Sequence, residues 1–234
     1  MSSAGSVSCP AEIPVPPYYQ IEFMTSPERP ADELANLLTH AIGFVLSLAA
    51  AAYLMLTVAH ATVAVNVACG MYSIALIAVY GASTLSHLFY DVAWRRWFRT
   101  LDQACIYLLI TGTYTPLAAI YLNHGWWPVL LVLMWICALA GVVRVIFVRD
   151  LSATDKISYG VLGLMPVVAL LEFLRSGPMS QVVWMIAGGA CYLVGTIFLR
   201  LSLRVRYAHA VWHLFVIAGS ACHYWTIVMA VRPR

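Results

Sequence analysis

Apolar residues occur in long runs along this chain, and almost all charged residues lie in the short segments between the runs. A helix needs about 20 mainly apolar residues to cross the hydrocarbon core of a bilayer, and the runs have that length. They predict membrane-spanning helices at residues 36–59, 67–90, 102–122, 127–148, 157–174, 181–201 and 208–230. The expected fold class is therefore an all-α bundle of seven transmembrane helices.

The fifth predicted span is the least regular one. Gly160, Gly163 and Pro166 interrupt it, and Glu172 lies near its end. A membrane helix that packs among other helices tolerates such residues, because its neighbours satisfy the backbone groups that they free. Seven therefore remains the expected number of spans.

The composition agrees with a membrane protein. Of 234 residues, 62% are hydrophobic and 10% are charged, whereas soluble domains contain roughly 45–50% apolar and about 25% charged residues. The six cysteines include no C-x-x-C pair, and five lie in apolar runs, so we expect small core side chains and no disulfide framework. The net charge of +3 comes from scattered basic residues, which argues against a nucleic-acid partner. Membrane lipids are the expected partners, and the oligomeric state stays open.

The distribution of basic residues predicts the orientation of the bundle. If the N-terminus is cytoplasmic, ten of the 13 basic residues face the cytoplasm, and only Arg175, Arg232 and Arg234 lie outside. The positive-inside rule therefore favours a cytoplasmic N-terminus and an external C-terminus. Residues 1–30 contain six prolines and no apolar run, so we expect a flexible cytoplasmic tail before a transmembrane domain at 31–234.

Four ionisable residues are predicted to lie at one depth, near the cytoplasmic ends of three spans. They are His87, Asp102, His209 and His213. Ionisable groups inside a bilayer are costly, so their grouping indicates a function. His209 and His213 form an H-x-x-x-H pair, whose spacing directs both imidazoles to one side of a helix, as in helical zinc sites. The sequence therefore predicts a Zn²⁺ site, with residue 87 within about 8 Å of the last span.

Each of these residues also has a simpler interpretation. A single histidine in a membrane is more often a hydrogen-bonded interior residue than a ligand, and only the grouping favours a metal. Ser83 lies one turn before His87 and is a candidate catalytic residue, although membrane serines commonly bond the carbonyl four residues back. Asp91 is more simply an ion-pair partner of Arg95 on the surface.

Two further polar features lie outside the predicted ligand set. Glu33, Asn36 and His40 form a stripe at the cytoplasmic end of the first span, where they could hydrogen-bond the ligands or simply pack between helices. His223 follows His213 by ten residues, or about 15 Å along a helix, so it cannot share the same metal ion.

Four ordered motifs resemble those of the hemolysin III branch of the progestin and adipoQ receptor family. They read ELANLLTHAIG at 33–43, STLSH at 83–87, LDQACIYLLITGTYTP at 101–116 and HAVWHLFVIAGSACHY at 209–224. The resemblance covers residues 31–230. It implies seven helices, a cytoplasmic N-terminus, a zinc ion near the inner leaflet and, for a bacterial member, the inner (plasma) membrane.

The resemblance also implies roles for individual residues. His87, His209 and His213 match the family's histidine ligands, and Asp102 matches its carboxylate, which acts directly or through a water molecule. Ser83 matches the family's serine. Gln103 departs from the histidine that bacterial members often carry at that position, which alters hydrogen bonding around the site but leaves the ligand set intact.

Three functions follow as hypotheses. The leading one is a zinc-dependent hydrolase of a lipid amide or ester, similar to the ceramidase-related activity of receptor members, in which Asp102 or Ser83 positions the attacking water or moves its proton. The second is a non-enzymatic sensor or regulator of membrane state whose zinc is structural. The third is the lytic activity in the family name, which would require a pore.

Overall fold

The structure is a computed structural model that describes residues 30–148 and 153–232. Within these residues the chain is helical, without β-strands. Its α-helices are α1 (Pro30–Thr57), α2 (Val63–Leu88), α3 (Val92–Tyr121), α4 (Trp127–Val148), α5 (Ala153–Leu164), α6 (Leu170–Ser176), α7 (Met179–Leu201) and α8 (Ala208–Val231). Residues 1–29 of the predicted tail lie outside the described residues, and Pro30 begins α1.

The predicted number of spans is confirmed. Seven described segments are long and apolar enough to cross a membrane. The fifth span combines α5, a 3₁₀ segment at Met165–Ala169 and α6, so the helix changes geometry at Pro166, where the sequence indicated an interruption. Its membrane-spanning part covers residues 157–176. The orientation relative to the cytoplasm stays a prediction.

Helix α3 begins ten residues earlier than the sequence suggested, at Val92 and not at 102. Asp91 caps its first turn, since the carboxylate accepts hydrogen bonds from the backbone N–H groups of Ala93 and Trp94 at 3.1 and 3.0 Å. Asp102 therefore lies in the third turn of α3, about 15 Å from the helix start, instead of at the start itself.

Helix α3 forms the centre of the bundle. It packs against α2, α4, α5 and α8, while α8 also contacts α1 and α7. Pro116 lies inside α3 and is buried, a position that a membrane helix tolerates when its neighbours surround it. The arrangement brings the start of α1, the end of α2, the first turns of α3 and the start of α8 to one end of the molecule, which we call the histidine end.

The outward faces of the peripheral helices are apolar. Exposed side chains include Leu56 on α1, Val132 on α4, Leu171 on α6 and Leu193 on α7. Because a bilayer, unlike water, solvates such side chains, this outer surface agrees with the membrane-spanning assignment. Several polar side chains, among them Asn36, His40, Ser83, His87 and His213, are buried in the interior of the bundle.

Candidate metal centre

Two helices bring three histidines together at the histidine end. His87 is the next-to-last residue of α2, while His209 and His213 lie one turn apart at the start of α8. A nitrogen from each of the three side chains lies within 4.8 Å of the other two. We call these residues the histidine cluster.

The rings of the histidine cluster face one another at different angles. The ring centroid of His87 is 5.4 Å from that of His209 and 5.3 Å from that of His213. The two rings on α8 have centroids 4.4 Å apart, with a 70° angle between their planes. These separations meet the sequence-based condition that residue 87 lies within about 8 Å of the last span.

Helix α1 covers the cluster from one side. The Nδ1 atom of His87 lies 2.9 Å from Oε2 of Glu33. The same carboxylate oxygen lies 2.7 Å from a guanidinium nitrogen of Arg95, whose side chain is only 4% exposed. Glu33 therefore joins the end of α2 to the first turn of α3, and it is Glu33, instead of Asp91 as we predicted, that pairs with Arg95.

His213 is held by the next two turns of α1. Its Nδ1 atom lies 3.0 Å from the Thr39 hydroxyl and 3.2 Å from the Asn36 backbone carbonyl. The ring of His40 stacks on that of His213, with the centroids 3.5 Å apart and the planes 25° apart. His213 is 1% exposed, so its ring is packed and hydrogen-bonded on several sides.

A salt bridge at the surface attaches the start of α1 to the segment before α8. The Nε atom of Arg206 lies 3.0 Å from a carboxylate oxygen of Asp32. The hydrogen bond to Asp32 raises the pKa of the Arg206 guanidinium. Tyr207 follows Arg206 in the sequence and precedes α8. Its backbone is left-handed, with φ of 59°, and its ring lies under the Arg206 guanidinium.

Asp102 and Ser83 lie beside the cluster and not within it. The Asp102 carboxylate lies near Ser83 and Arg99, and Asp102 is not one of the three residues whose ligand atoms group together. The Ser83 hydroxyl is buried and has no hydrogen-bond partner within the described part of the chain, so it does not bond the carbonyl four residues back. That Asp102 acts as a ligand, directly or through water, and that Ser83 acts in catalysis stay predictions.

The contacts from α1 are the part of the site that sequence reasoning identified least completely. The sequence predicts a polar stripe of Glu33, Asn36 and His40 without assigning it a partner, and it gives no signal for Thr39. Their signal was the spacing of polar residues along the first apolar run, but only the packed structure pairs each of them with a particular histidine.

A second group of polar side chains lies deeper in the bundle. The Tyr80 hydroxyl donates to the Ser220 hydroxyl at 2.9 Å, and the Tyr192 hydroxyl lies 3.0 Å from the same oxygen. His223 stacks on Tyr192, with ring centroids 5.5 Å apart. We call these four residues the tyrosine–serine network. His223 belongs to this network and not to the histidine cluster, as its distance along α8 predicted.

The donor set of the histidine cluster suits zinc. Zinc in proteins is bound by imidazole nitrogens at about 2.0–2.1 Å, and a catalytic site has three protein ligands and one position for water or substrate. The Nδ1 atoms of His87 and His213 are occupied by hydrogen bonds, whereas no hydrogen bond to their Nε2 atoms occurs among the described residues. Three histidines close together could thus hold a metal ion.

Known proteins resemble this chain along most of its length. The family described as "Haemolysin-III related" matches residues 29–224. "Hemolysin-3" of Bacillus cereus is 34% identical over 206 residues, which cover 86% of this chain and 93% of that protein. "Hemolysin-3 homolog" of Bacillus subtilis (strain 168) is 31% identical over 199 residues, covering 84% and 93%.

A more distant relative is the human "Monocyte to macrophage differentiation factor". It is 24% identical over 172 residues, which cover 67% of each chain. No solved structure matches this chain. The chain belongs to the haemolysin-III related family, and its bacterial relatives and seven apolar helices support a multi-pass integral protein of the plasma membrane.

Proposed function

We propose that this member of the haemolysin-III related family binds one zinc ion in its histidine cluster and hydrolyses an amide or ester bond of a membrane lipid. The observation that supports the proposal is the convergence of three imidazoles from α2 and α8, each with a ligand nitrogen within 4.8 Å of the other two. Three histidine ligands leave a coordination position for water or substrate, which is the arrangement of a catalytic zinc site.

The residues have separate roles in this proposal. His87, His209 and His213 would hold the ion, which in such sites polarises a carbonyl group and makes a bound water more acidic. Asp102 would orient the attacking water and accept its proton, and the neighbouring Ser83 hydroxyl would hold that carboxylate in place. The substrate would reach the site from the bilayer, whose acyl chains contact the apolar outer face of the bundle.

The first experiment measures metal content and turnover on the same preparations. Wild type and His209→Ala are purified in detergent beside His223→Ala, which removes a histidine of the same helix outside the cluster. Elemental analysis should find about one zinc per wild-type chain and His223→Ala chain, and little in His209→Ala. Fatty acid released from a panel of lipid amides and esters should follow the zinc content.

Two results would contradict parts of this proposal. If wild-type protein purified in zinc-containing buffer contains no zinc, the proposed metal site is wrong. If the protein binds about one metal ion per chain but releases no fatty acid from any lipid of the panel, the hydrolase proposal is wrong and the metal site still stands. Because relatives of this chain are named Hemolysin-3, lytic activity should also be measured. A lytic protein would release dye from lipid vesicles.

The second candidate function is a non-enzymatic regulator of the membrane with a structural zinc. The observation that favours it is that the cluster joins α2 to α8, with His213 only 1% exposed. Substitution Asp102→Asn separates the two functions. A hydrolase should lose turnover by roughly 10²–10⁴-fold while zinc content and thermal stability persist. A regulator should show no turnover in either protein, and zinc removal should lower its thermal stability.

A further inference from the structure

We propose that helix α1, which supplies none of the three clustered histidines, determines which nitrogen of His87 and of His213 faces the metal. Glu33 positions His87, and Asn36 with Thr39 positions His213. Both rings then carry their proton on Nδ1 and present Nε2 to the ion. This inference rests on the proposed zinc site, and it assigns to α1 a positioning role.

The partner of His87 fixes its tautomer. A neutral imidazole carries one proton, on either Nδ1 or Nε2, and the group that contacts one nitrogen selects between them. The Nδ1 atom of His87 lies 2.9 Å from Oε2 of Glu33, and a carboxylate only accepts hydrogen bonds. Arg95 lies 2.7 Å from the same oxygen and favours the ionised carboxylate. Nδ1 of His87 therefore carries the proton and donates it to Glu33.

The backbone of α1 gives the same result for His213. Its Nδ1 atom lies 3.2 Å from the Asn36 carbonyl oxygen, which cannot donate a hydrogen bond. The Thr39 hydroxyl lies 3.0 Å from the same nitrogen and directs its own proton to the carbonyls of Ala35 and Asn36, at 2.8 and 2.9 Å. The Nδ1–H group of His213 is thus shared between two acceptors on α1, and Nε2 keeps its lone pair.

Contacts beyond these hydrogen bonds keep the two rings in place. His40 covers one face of the His213 ring at 3.5 Å between centroids, so a rotation of His213 would require His40 to move. The helix that selects the tautomers therefore contacts both helices that carry the cluster, α8 through Thr39 and His40 and α2 through Glu33.

Solid-state NMR of ¹⁵N-histidine-labelled protein in lipid tests the tautomers directly. The measurement uses wild-type protein from which metal has been removed with a chelator, and signals are assigned by their loss in His87→Asn and His213→Asn. We expect a protonated Nδ1 and an unprotonated Nε2 in both residues. A protonated Nε2 in either residue would overturn the inference, and this measurement needs no variant of α1 that might fail to fold.

Zinc affinity, measured by competition with a chelator of known affinity, tests the consequence for the metal. Loss of a hydrogen-bond partner of a metal-ligating histidine typically weakens metal binding by about 10–100-fold, which is the expected effect of Glu33→Ala. Glu33→Gln keeps an acceptor oxygen and should restore most of the affinity. Asp32→Asn removes a neighbouring carboxylate that contacts Arg206 and not a histidine, so it is the matched control and should bind zinc like wild type.

The outcomes separate this inference from the proposed function. If wild type and Glu33→Ala bind zinc equally well, α1 does not position the ligands, although the zinc site stands. If Asp32→Asn weakens binding as much as Glu33→Ala, the effect comes from charge at the helix start, and the inference is also overturned. If wild type binds no zinc, the proposed function fails, and the NMR result alone decides whether α1 selects the tautomers.

Discussion

The histidine cluster and the tyrosine–serine network are two polar regions of one bundle, and their polar groups have different kinds of interaction partners. The cluster has charged partners on one side, where Glu33 lies between His87 and Arg95, while His213 contacts the neutral groups of Asn36 and Thr39. The network contains neutral groups, in which two phenol hydroxyls meet one serine oxygen and His223 stacks on a tyrosine ring. Helix α8 contributes to both regions.

The difference follows from position along the helices. The cluster lies at the end of α2 and the start of α8, where charged side chains can be held at low cost. The network lies further along α8, in the interior of the bundle, where an ionised group would be expensive and neutral hydroxyls satisfy one another. We therefore expect the cluster to determine metal binding and turnover, and the network to determine the stability of helix packing.

The largest expected effect is on metal binding. His213→Ala removes one of the three proposed ligands and should lower zinc affinity by more than about 100-fold. This loss is larger than the one expected when only a hydrogen-bond partner of a ligand is removed. His223→Ala, on the same helix, should leave zinc affinity unchanged. Chelator competition on both proteins measures the difference. Equal zinc affinities in the two variants would mean that the comparison between the regions is wrong.

The next effect concerns the close contact of α7 with α8 beside the network. A Cβ atom added at Gly188 would lie 2.7 Å from the His223 ring and 3.1 Å from the backbone oxygen of Gly219. Gly188→Ala should therefore destabilise the bundle by about 1–3 kcal/mol through overpacking, without altering the zinc content per folded chain. Thermal unfolding in detergent measures the change.

The neighbouring glycine supplies the control for this prediction. A Cβ atom at Gly189 would meet no atom of a neighbouring helix within 4 Å among the described residues, so Gly189→Ala should unfold at the wild-type temperature or above it. If Gly188→Ala were as stable as Gly189→Ala, the tight α7–α8 contact would not contribute to stability. Of the two adjacent glycines, Gly188 lies at the close contact between α7 and α8, whereas Gly189 does not.

The smallest predicted effect is that of a single hydrogen bond in the network. Tyr80→Phe removes the hydroxyl that donates to Ser220, while Tyr192 still contacts that serine. Hydrogen bonds between membrane helices contribute about 0.6 kcal/mol on average, so the variant should lose roughly that amount of stability and keep full zinc affinity. Adding Ser220→Ala in a double-mutant cycle measures the coupling between the two side chains. A change in zinc affinity would show that the two regions are not independent.

Much of the architecture could be predicted from local features of the sequence. Seven apolar runs gave the seven spans, and the H-x-x-x-H spacing placed His209 and His213 on one face of the last helix. The proximity of His87 followed from counting spans, because an even number of crossings separates the end of the second span from the start of the seventh. Of the predicted four-residue site, the three histidines come together in the structure, and Asp102 is not among the grouped ligand atoms.

Other features could not be obtained in this way. Hydropathy did not locate the start of α3, because its first turns carry three arginines and are stabilised by the Asp91 cap. It also did not pair Glu33 with His87 and Arg95, or Thr39 with His213. A polar residue on an apolar helix can face any neighbour, and the helix rotation that decides between them depends on side-chain packing along the whole length of the helix.

The sequence by itself determined how many helices this protein has and which end of the bundle holds the histidines, because helix length and residue spacing are local properties of the chain. Only the tertiary structure decided how α1 is turned toward the cluster and hence which nitrogen of each imidazole is engaged. That choice depends on contacts between residues more than 50 positions apart, as between Glu33 and His87, and no local pattern encodes them.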